Sequence, residues 1–292
     1  MKILRTPQEM TAWSKEQAVL NKTIGFVPTM GFFHEGHLAL MRRAKELADL
    51  VVVSLFVNPT QFGPQEDLAA YPRHFDSDQE LAASVGVDVL FAPKSEEMYP
   101  PGASTTITVK GDLSNRLCGA SRPIHFAGVA TVVTKLFNIV RPHLAVFGKK
   151  DFQQLAIIRR MTLDLHFGVE IIGHPTVREK DGLAMSSRNA YLEDEDRESA
   201  LSLSRSLALA RTMVAEGELN AKQLTAALRE FILSFPGTAV DYINFVDQFT
   251  LEPVAEVNKD TVLALAVQIN GKVRLIDNGF VVQDKQGLTI SL

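Results

Sequence analysis

A doubly wound α/β sheet followed by a smaller C-terminal α+β unit is the architecture this sequence predicts. Three observations predict it. From Thr23 to Ile172, short apolar runs rich in β-branched residues alternate with segments of helical spacing. The run Leu50–Val57 is apolar almost throughout, as in a parallel strand covered on both faces. Beyond Tyr191 the order changes to helices and then strands, closed by the hairpin signal Asn270-Gly271.

Taken in order, Thr23–Pro28 reads as a strand that breaks at the proline. Leu38–Ala48 places Leu38, Met41, Ala44 and Ala48 on one helical face. Leu50–Val57 is the second strand, Asp76–Val85 a helix and Asp88–Ala92 a third strand. Gly128–Val140 carries a wide apolar helical face. His143–Phe147 is a strand, Asp151–Leu163 a helix with Asp151 placed to cap it, and Val169–Ile172 a last strand. Strand and helix in repetition argue for right-handed crossovers in a parallel sheet. Tyr99–Pro123, rich in Gly, Pro, Ser and Thr, interrupts the rhythm and reads as an excursion with an edge strand at Thr105–Val109. In the C-terminal part, Glu193–Glu216 and Leu219–Ser234 are expected helices. Tyr242–Asp247, Val262–Ile269 and Lys272–Ile276 are expected strands. The expected division is a catalytic domain over 1–177 and a lid domain over 178–292.

Bulk composition narrows the function. A chain of 292 residues, 46% hydrophobic and 22% charged, is long enough for two cores. The net charge of −4 gives no basic surface for nucleic acid or membrane, so an anionic ligand needs a local basic site. A single cysteine, Cys118, excludes an intramolecular disulfide and reads as a small apolar residue near a turn. Met1–Asn21 lacks a signal-peptide core, and Leu50–Val57 is far too short to span a bilayer; a cytoplasmic location is expected.

Four constellations carry chemistry. Met30-Gly31-Phe32-Phe33-His34-Glu35-Gly36-His37 follows the first strand and opens the first helix. In a doubly wound sheet this turn lies at the ligand-binding edge, and a helix N-terminus suits a phosphate. His34 and His37 fall on one side of the first helical turn and could donate to phosphate oxygens as charge builds. Singly, each is an ordinary polar residue; together a metal pair is an alternative. Gly148-Lys149-Lys150-Asp151, after another strand, offers a second such turn, with Lys150 able to neutralise a phosphoryl group. Met185-Ser186-Ser187-Arg188 combines hydroxyls with an arginine fork, an anion-binding set. Asn58 and Gln61 supply neutral hydrogen-bonding groups suited to hydroxyl and carboxylate recognition.

The pattern His-x-Gly-His resembles the nucleotidylyl-transferase superfamily, with its Rossmann-like fold and its attack at the α-phosphate of a nucleotide. The Met185–Arg188 stretch sits where that superfamily keeps a loop that closes on the triphosphate. Together PTMGFFHEGH, FVNPTQF, YPR, RPxHFxGV, FGKKDxQQ and PTVRExDGLAMSSRN resemble the pantothenate synthetases, or pantoate–β-alanine ligases. The resemblance implies an AMP-forming ligase with ATP as co-substrate and Mg2+ as cofactor, and pantoate and β-alanine as substrates. It also implies a homodimer. It implies that Met30 to His37 contact ATP, with His37 the catalytic acid, assisted by His34 and Lys150. Gly148, Lys149, Lys150 and Asp151 would hold the nucleotide, Asp151 at the ribose and Val177 at the adenine through its backbone. Met185, Ser186, Ser187 and Arg188 would close on the phosphates. Gln61 and Gln154 would hold pantoate, Gln61 also seating β-alanine, and Asp78, or Asp76 beside it, would be linked to the metal. Lys149 stands where the family commonly has glutamate. A nucleotidyltransferase and a non-catalytic nucleotide sensor are the alternatives, the first separated by β-alanine-dependent AMP release and the second by pyrophosphate release from ATP and pantoate.

Overall fold

The computed structural model describes residues 1–64, 66–285 and 287–291. The chain forms two compact units: Met1–Lys149 with Gln153–Pro175, and Thr176–Leu292 with Lys150–Phe152.

The first unit is built on six strands: β1 (Lys2–Leu4), β2 (Ile24–Thr29), β3 (Leu50–Leu55), β4 (Val89–Phe91), β5 (Leu144–Gly148) and β6 (Glu170–His174). They lie in the order β1-β4-β3-β2-β5-β6, every pair parallel. Alternation along the strands sorts the core into two layers. Phe26, Val52, Val89, Phe91, Ala145 and Phe147 pack on one face with Met10, Trp13 and the helix His125–Val140. Val27, Val51, Val53, Leu90 and Val146 pack on the other with Leu38, Met41 and Ala44 of the helix Glu35–Leu47. Both faces are therefore covered, which is why these strands read as unbroken apolar runs.

The edge strand expected at Thr105–Val109 does not form. The Ile107 N–H donates instead to the Thr131 hydroxyl at 2.9 Å, so a side chain takes the bond a neighbouring strand would have taken. Asp151 lies within a one-turn 3₁₀ segment, Lys149–Asp151, that runs into the helix Phe152–Asp164, and so belongs to the turn instead of capping it from outside. Sequence reading also overlooked β1 and the N-terminal helix Pro7–Val19, which Thr6 caps together with Glu9.

In the second unit, β7 (Thr238–Asp247), β8 (Thr261–Ile269), β9 (Val273–Asp284) and β10 (Gly287–Ser291) make an antiparallel sheet in the order β10-β9-β8-β7. The helices Ser202–Ala215 and Ala221–Leu233 share its core through Leu203, Leu207, Leu224 and Leu228. Asn270 and Gly271 both have positive φ, 47° and 67°, as the hairpin signal requires. The ladder closes at Ile269↔Val273 and leaves Lys272 outside the pairing. The single helix expected over 193–216 is broken into the turn Asp194–Asp196 and the helices Arg197–Ala200 and Ser202–Ala215. Glu193 and Asp196 bond back to the local backbone, which favours a capped turn over a helix interior.

Candidate active site

In the first unit, β2 is flanked by β3 on one side and by β5 on the other, so the strand order reverses between β2 and β5. Ligands bind outside the carboxyl ends of strands at such a reversal. Three of the expected constellations follow β2, β3 and β5 at this edge.

The turn after β2 is held by one carboxylate. Gly31 and Phe32 have φ of 89° and 53°, a reversal that is cheap for glycine only. The Phe32 and Phe33 N–H groups then donate to the two oxygens of Asp78, at 2.8 and 2.6 Å. A Cβ on Gly31 would stand 3.0 Å from that carboxylate. Asp78 is 2% exposed, and burial pushes its carboxyl above the ordinary value against the pull of the two N–H bonds. The expectation linked Asp78 to a metal; its local role in this fold is to shape the turn.

His34 is the N-cap of the helix Glu35–Leu47, and its Nδ1 accepts from the Gly36 N–H at 3.1 Å. His37 Nδ1 accepts from the His34 N–H at 3.3 Å. Each Nδ1 is therefore an acceptor, and each neutral ring carries its proton on Nε2. The ring centroids lie 4.1 Å apart. The pair thus offers two adjacent uncharged N–H donors beside a helix N-terminus, an arrangement suited to anionic oxygens.

In the turn after β3, Asn58 and Gln61 are anchored by neutral groups. Asn58 is 1% exposed and Gln61 is 7% exposed. Asn58 Nδ2 donates to Gln61 Oε1 at 3.1 Å and to the Gly128 carbonyl at 3.2 Å. Gln61 Nε2 lies 3.1 Å from Met30 Sδ, which joins this turn to the first. His125 Nδ1 meets the Gln61 carbonyl at 3.0 Å. The helix His125–Val140 approaches so closely that a Cβ on Gly128 would lie 2.4 Å from the Thr60 carbonyl and 2.6 Å from Gln61 Cα.

At the end of β5, Gly148 and Lys149 lead into the helix carrying two glutamines with different tasks. Gln153 is structural: its Oε1 accepts from the Cys118 N–H at 3.0 Å, and its Nε2 donates to the Leu113 and Arg116 carbonyls at 2.9 and 2.7 Å. Gln154 is half-buried and makes no such bond among the described residues.

The second unit holds Lys150, Asp151, Val177 and Met185–Arg188. The Lys150 carbonyl accepts from Asn278 Nδ2 at 2.8 Å. Val177 and Met185 face each other across a hairpin, the Met185 N–H donating to the Val177 carbonyl at 2.9 Å. Arg178 spans this hairpin, bonding the Gly182 carbonyl at 3.1 Å and Asp277 bidentately at 2.7 and 3.0 Å. Arg197 clasps Glu179 and Asp181. Ser186 caps the 3₁₀ turn Ser187–Tyr191, its hydroxyl accepting from the Arg188 N–H. The Met185–Arg188 stretch therefore grows from a braced hairpin. Arg178, Asp277, Asn278, Tyr99 and Gly128 were assigned no role from sequence, although Arg178 and Gly128 lie inside the quoted motifs.

A doubly wound α/β protein with paired imidazoles on the turn at its sheet reversal is the class this fold and site define. The chain belongs to the pantoate–β-alanine ligase family: the family model described as Pantoate-beta-alanine ligase matches residues 2–280. A Pantothenate synthetase of Heliobacterium modesticaldum is 57% identical over 278 residues, covering 95% of this chain and 98% of its own. One from Thermotoga petrophila is 52% identical, with 95% and 99% covered. Among solved structures, pantothenate synthetase from Thermus thermophilus superposes with a TM-score of 0.90 at 45% identity, covering 95% of this chain and 98% of that one. Pantoate-beta-alanine ligase from Francisella tularensis, complexed with beta-gamma ATP and beta-alanine, gives 0.80 at 36% identity, with 96% and 97% covered.

Proposed function

We propose that this chain joins pantoate to β-alanine at the expense of ATP, making pantothenate, AMP and pyrophosphate. Family membership over nearly the whole chain supports this reading. The structural observation that carries it is the contact of Gln61 with Met30, which sets a neutral substrate-recognition turn against the paired-histidine turn.

The pantoate carboxylate is itself the nucleophile. It attacks the α-phosphorus of ATP, the bond to the bridging oxygen breaks and pyrophosphate leaves. The β-alanine amine then attacks the acyl carbon of the pantoyl adenylate, gives up a proton, and AMP departs. The protein supplies position and charge neutralisation. In this reading His34 and His37 donate through Nε2 to phosphate oxygens, and Lys150 neutralises charge there. Met30 to His37, Gly148, Lys149, Asp151 and Val177 hold the nucleotide, and Met185, Ser186, Ser187 and Arg188 its phosphates. Asn58, Gln61 and Gln154 hold pantoate, and Gln61 also seats β-alanine.

Magnesium would enter as MgATP, and Asp78 or Asp76 is the carboxylate that would be linked to it. Among the described residues no three acidic, cysteine or imidazole groups converge, and the two Asp78 oxygens each accept one backbone N–H bond, which leaves lone pairs for a cation. The cytoplasmic location and the homodimer belong to the same proposal; among the described residues no helix is long and apolar enough to cross a membrane. Light scattering reads the dimer.

The test combines the purified chain with ATP, magnesium and pantoate, with and without β-alanine. The expected result is AMP and pantothenate in equal amounts only when β-alanine is present. A product that keeps the nucleotide would instead make the chain a nucleotidyltransferase, and no pyrophosphate release at all would make it a sensor.

A further inference from the structure

We propose that Tyr99 is a positioning residue that fixes which end of the Gln61 amide is offered to the substrate. The inference rests on reading Gln61 as a pantoate-binding group.

An amide side chain has two ends of nearly equal size, one donating and one accepting, so its orientation must be set by its partners. Here the partners form an ordered chain. The Gly128 carbonyl can only accept, so the atom of Asn58 facing it at 3.2 Å must be Nδ2. The same Nδ2 faces Gln61 at 3.1 Å, so Gln61 must turn its Oε1 inward. Gln61 Nε2 is then left on the far side, 3.1 Å from the sulfur of Met30. A thioether is a weak acceptor, which a substrate oxygen readily replaces. The group offered is thus an N–H donor, matched to a carboxylate or hydroxyl of the substrate.

The other end of Asn58 is where Tyr99 acts. Asn58 Oδ1 accepts from the Tyr99 hydroxyl at 2.8 Å and from the Thr60 hydroxyl at 3.0 Å. The two hydroxyls are 3.2 Å apart. Tyr99 comes from the segment following the helix Ser95–Met98, 41 residues beyond Asn58, and its ring packs against Phe56 with centroids 6.3 Å apart. Burial pushes the Tyr99 phenol above its ordinary value, so the hydroxyl keeps its proton and remains a donor. With the phenol donating, Asn58 cannot turn over without setting an NH2 group against that donor. Without it, one of the two donors that hold Oδ1 in place is gone. Asn58 is then held by the Gly128 carbonyl and the Thr60 hydroxyl alone, and Gln61 turns its carbonyl outward more often, facing the substrate's oxygen with another oxygen.

The test is steady-state kinetics of the full chain with Tyr99→Phe and Gln61→Glu, varying pantoate, β-alanine and ATP in turn. For Tyr99→Phe the expected KM for pantoate rises about fivefold, the worth of one ordinary hydrogen bond, while kcat and the KM for ATP stay within about twofold. Its Tm should be close to wild type. Gln61→Glu replaces the donor with an oxygen outright and should raise the pantoate KM by more. An unchanged pantoate KM in Gln61→Glu would overturn the reading of Gln61 itself. A raised pantoate KM in Gln61→Glu with none in Tyr99→Phe would overturn the relay alone. Parallel loss of Tm and of all three KM values in Tyr99→Phe would make Tyr99 a structural residue and end the proposal. Thr60→Val, which removes the second donor to the same oxygen, should move pantoate KM in the same direction; no change there would also count against the relay.

Discussion

Two neighbouring strand ends of one sheet are braced by opposite means. After β2, a single buried carboxylate, Asp78, gathers the Phe32 and Phe33 N–H groups and bends the chain into the paired-histidine turn. After β3, the Asn58–Gln61 turn is held by neutral amides, hydroxyls and a close glycine contact. The difference follows from what each turn must present. Uncharged imidazole N–H donors at a helix N-terminus suit oxygens that gain charge during reaction, where stabilisation lowers the barrier. A desolvated amide suits a substrate group that is the same before and after binding, where the gain appears in affinity.

The comparison is broken most directly by removing the imidazole. His37→Ala should lower kcat by the worth of one strong charge-stabilising contact, about 3 kcal/mol or two to three decades, with smaller changes in KM. Unchanged kcat in a stopped assay of AMP formation would remove His37 from the chemistry. Asp78→Asn comes next. It keeps the shape but turns one acceptor into an NH2 group facing a backbone N–H, leaving a buried donor unsatisfied at about 1–3 kcal/mol. Thermal denaturation should show the loss, and the KM for ATP should rise before that for pantoate. If magnesium titration were the only property altered, Asp78 would be a metal ligand after all and not the brace of the turn.

These opposite braces also explain what could be read in advance. The parallel sheet was legible because both of its faces are covered, so every central strand is apolar along its length. The paired histidines were legible because their spacing is local. The part Asp78 plays in the turn was not, since its N–H partners lie 46 and 45 residues away. Asp277 escaped notice for the same reason: it sits within the strand Val273–Asp284, but the expected strand stopped at Ile276 just before it. Its burial makes sense only with Arg178, 99 residues upstream. Thr105–Val109 has strand-like residues, but among the described residues no strand pairs with it. Local pattern revealed most of the sheet strands and the histidines; the long-range bonds that orient the side chains left no periodic trace.

Gly128→Ala sharpens the neutral half of the comparison. The added methyl would meet the backbone of Thr60 and Gln61, which cannot swing aside as a flexible side-chain tip can. Overpacking of this kind costs about 1–3 kcal/mol. Because the strain falls on the turn that carries Gln61, pantoate KM should rise while the KM for ATP holds. Equal loss of both would mean that the helix His125–Val140 braces the two turns alike, and the contrast between them would fail.

The smallest effect tests whether charge matters at all near the neutral turn. Glu66 pairs with Arg122 through both guanidinium nitrogens facing it, each side chain mostly buried. Burial pushes the Glu66 carboxyl up, but the hydrogen bonds and charge of Arg122 outweigh it and leave it below its ordinary value. A carboxylate depressed in the folded state adds stability above its unfolded value, and that stability is lost as pH falls through the folded value. Glu66→Gln removes this contribution. Its Tm should therefore sit about 2–4 °C below wild type at neutral pH, for a loss of about 1 kcal/mol, and the two should converge as the carboxylate range is crossed toward acid. Pantoate KM at neutral pH should hardly move, since among the described residues neither Glu66 nor Arg122 bonds to the Asn58, Gln61 or Tyr99 side chains. A pantoate KM that followed the titration of Glu66 would show that an ion pair, and not the neutral network, sets the Gln61 turn.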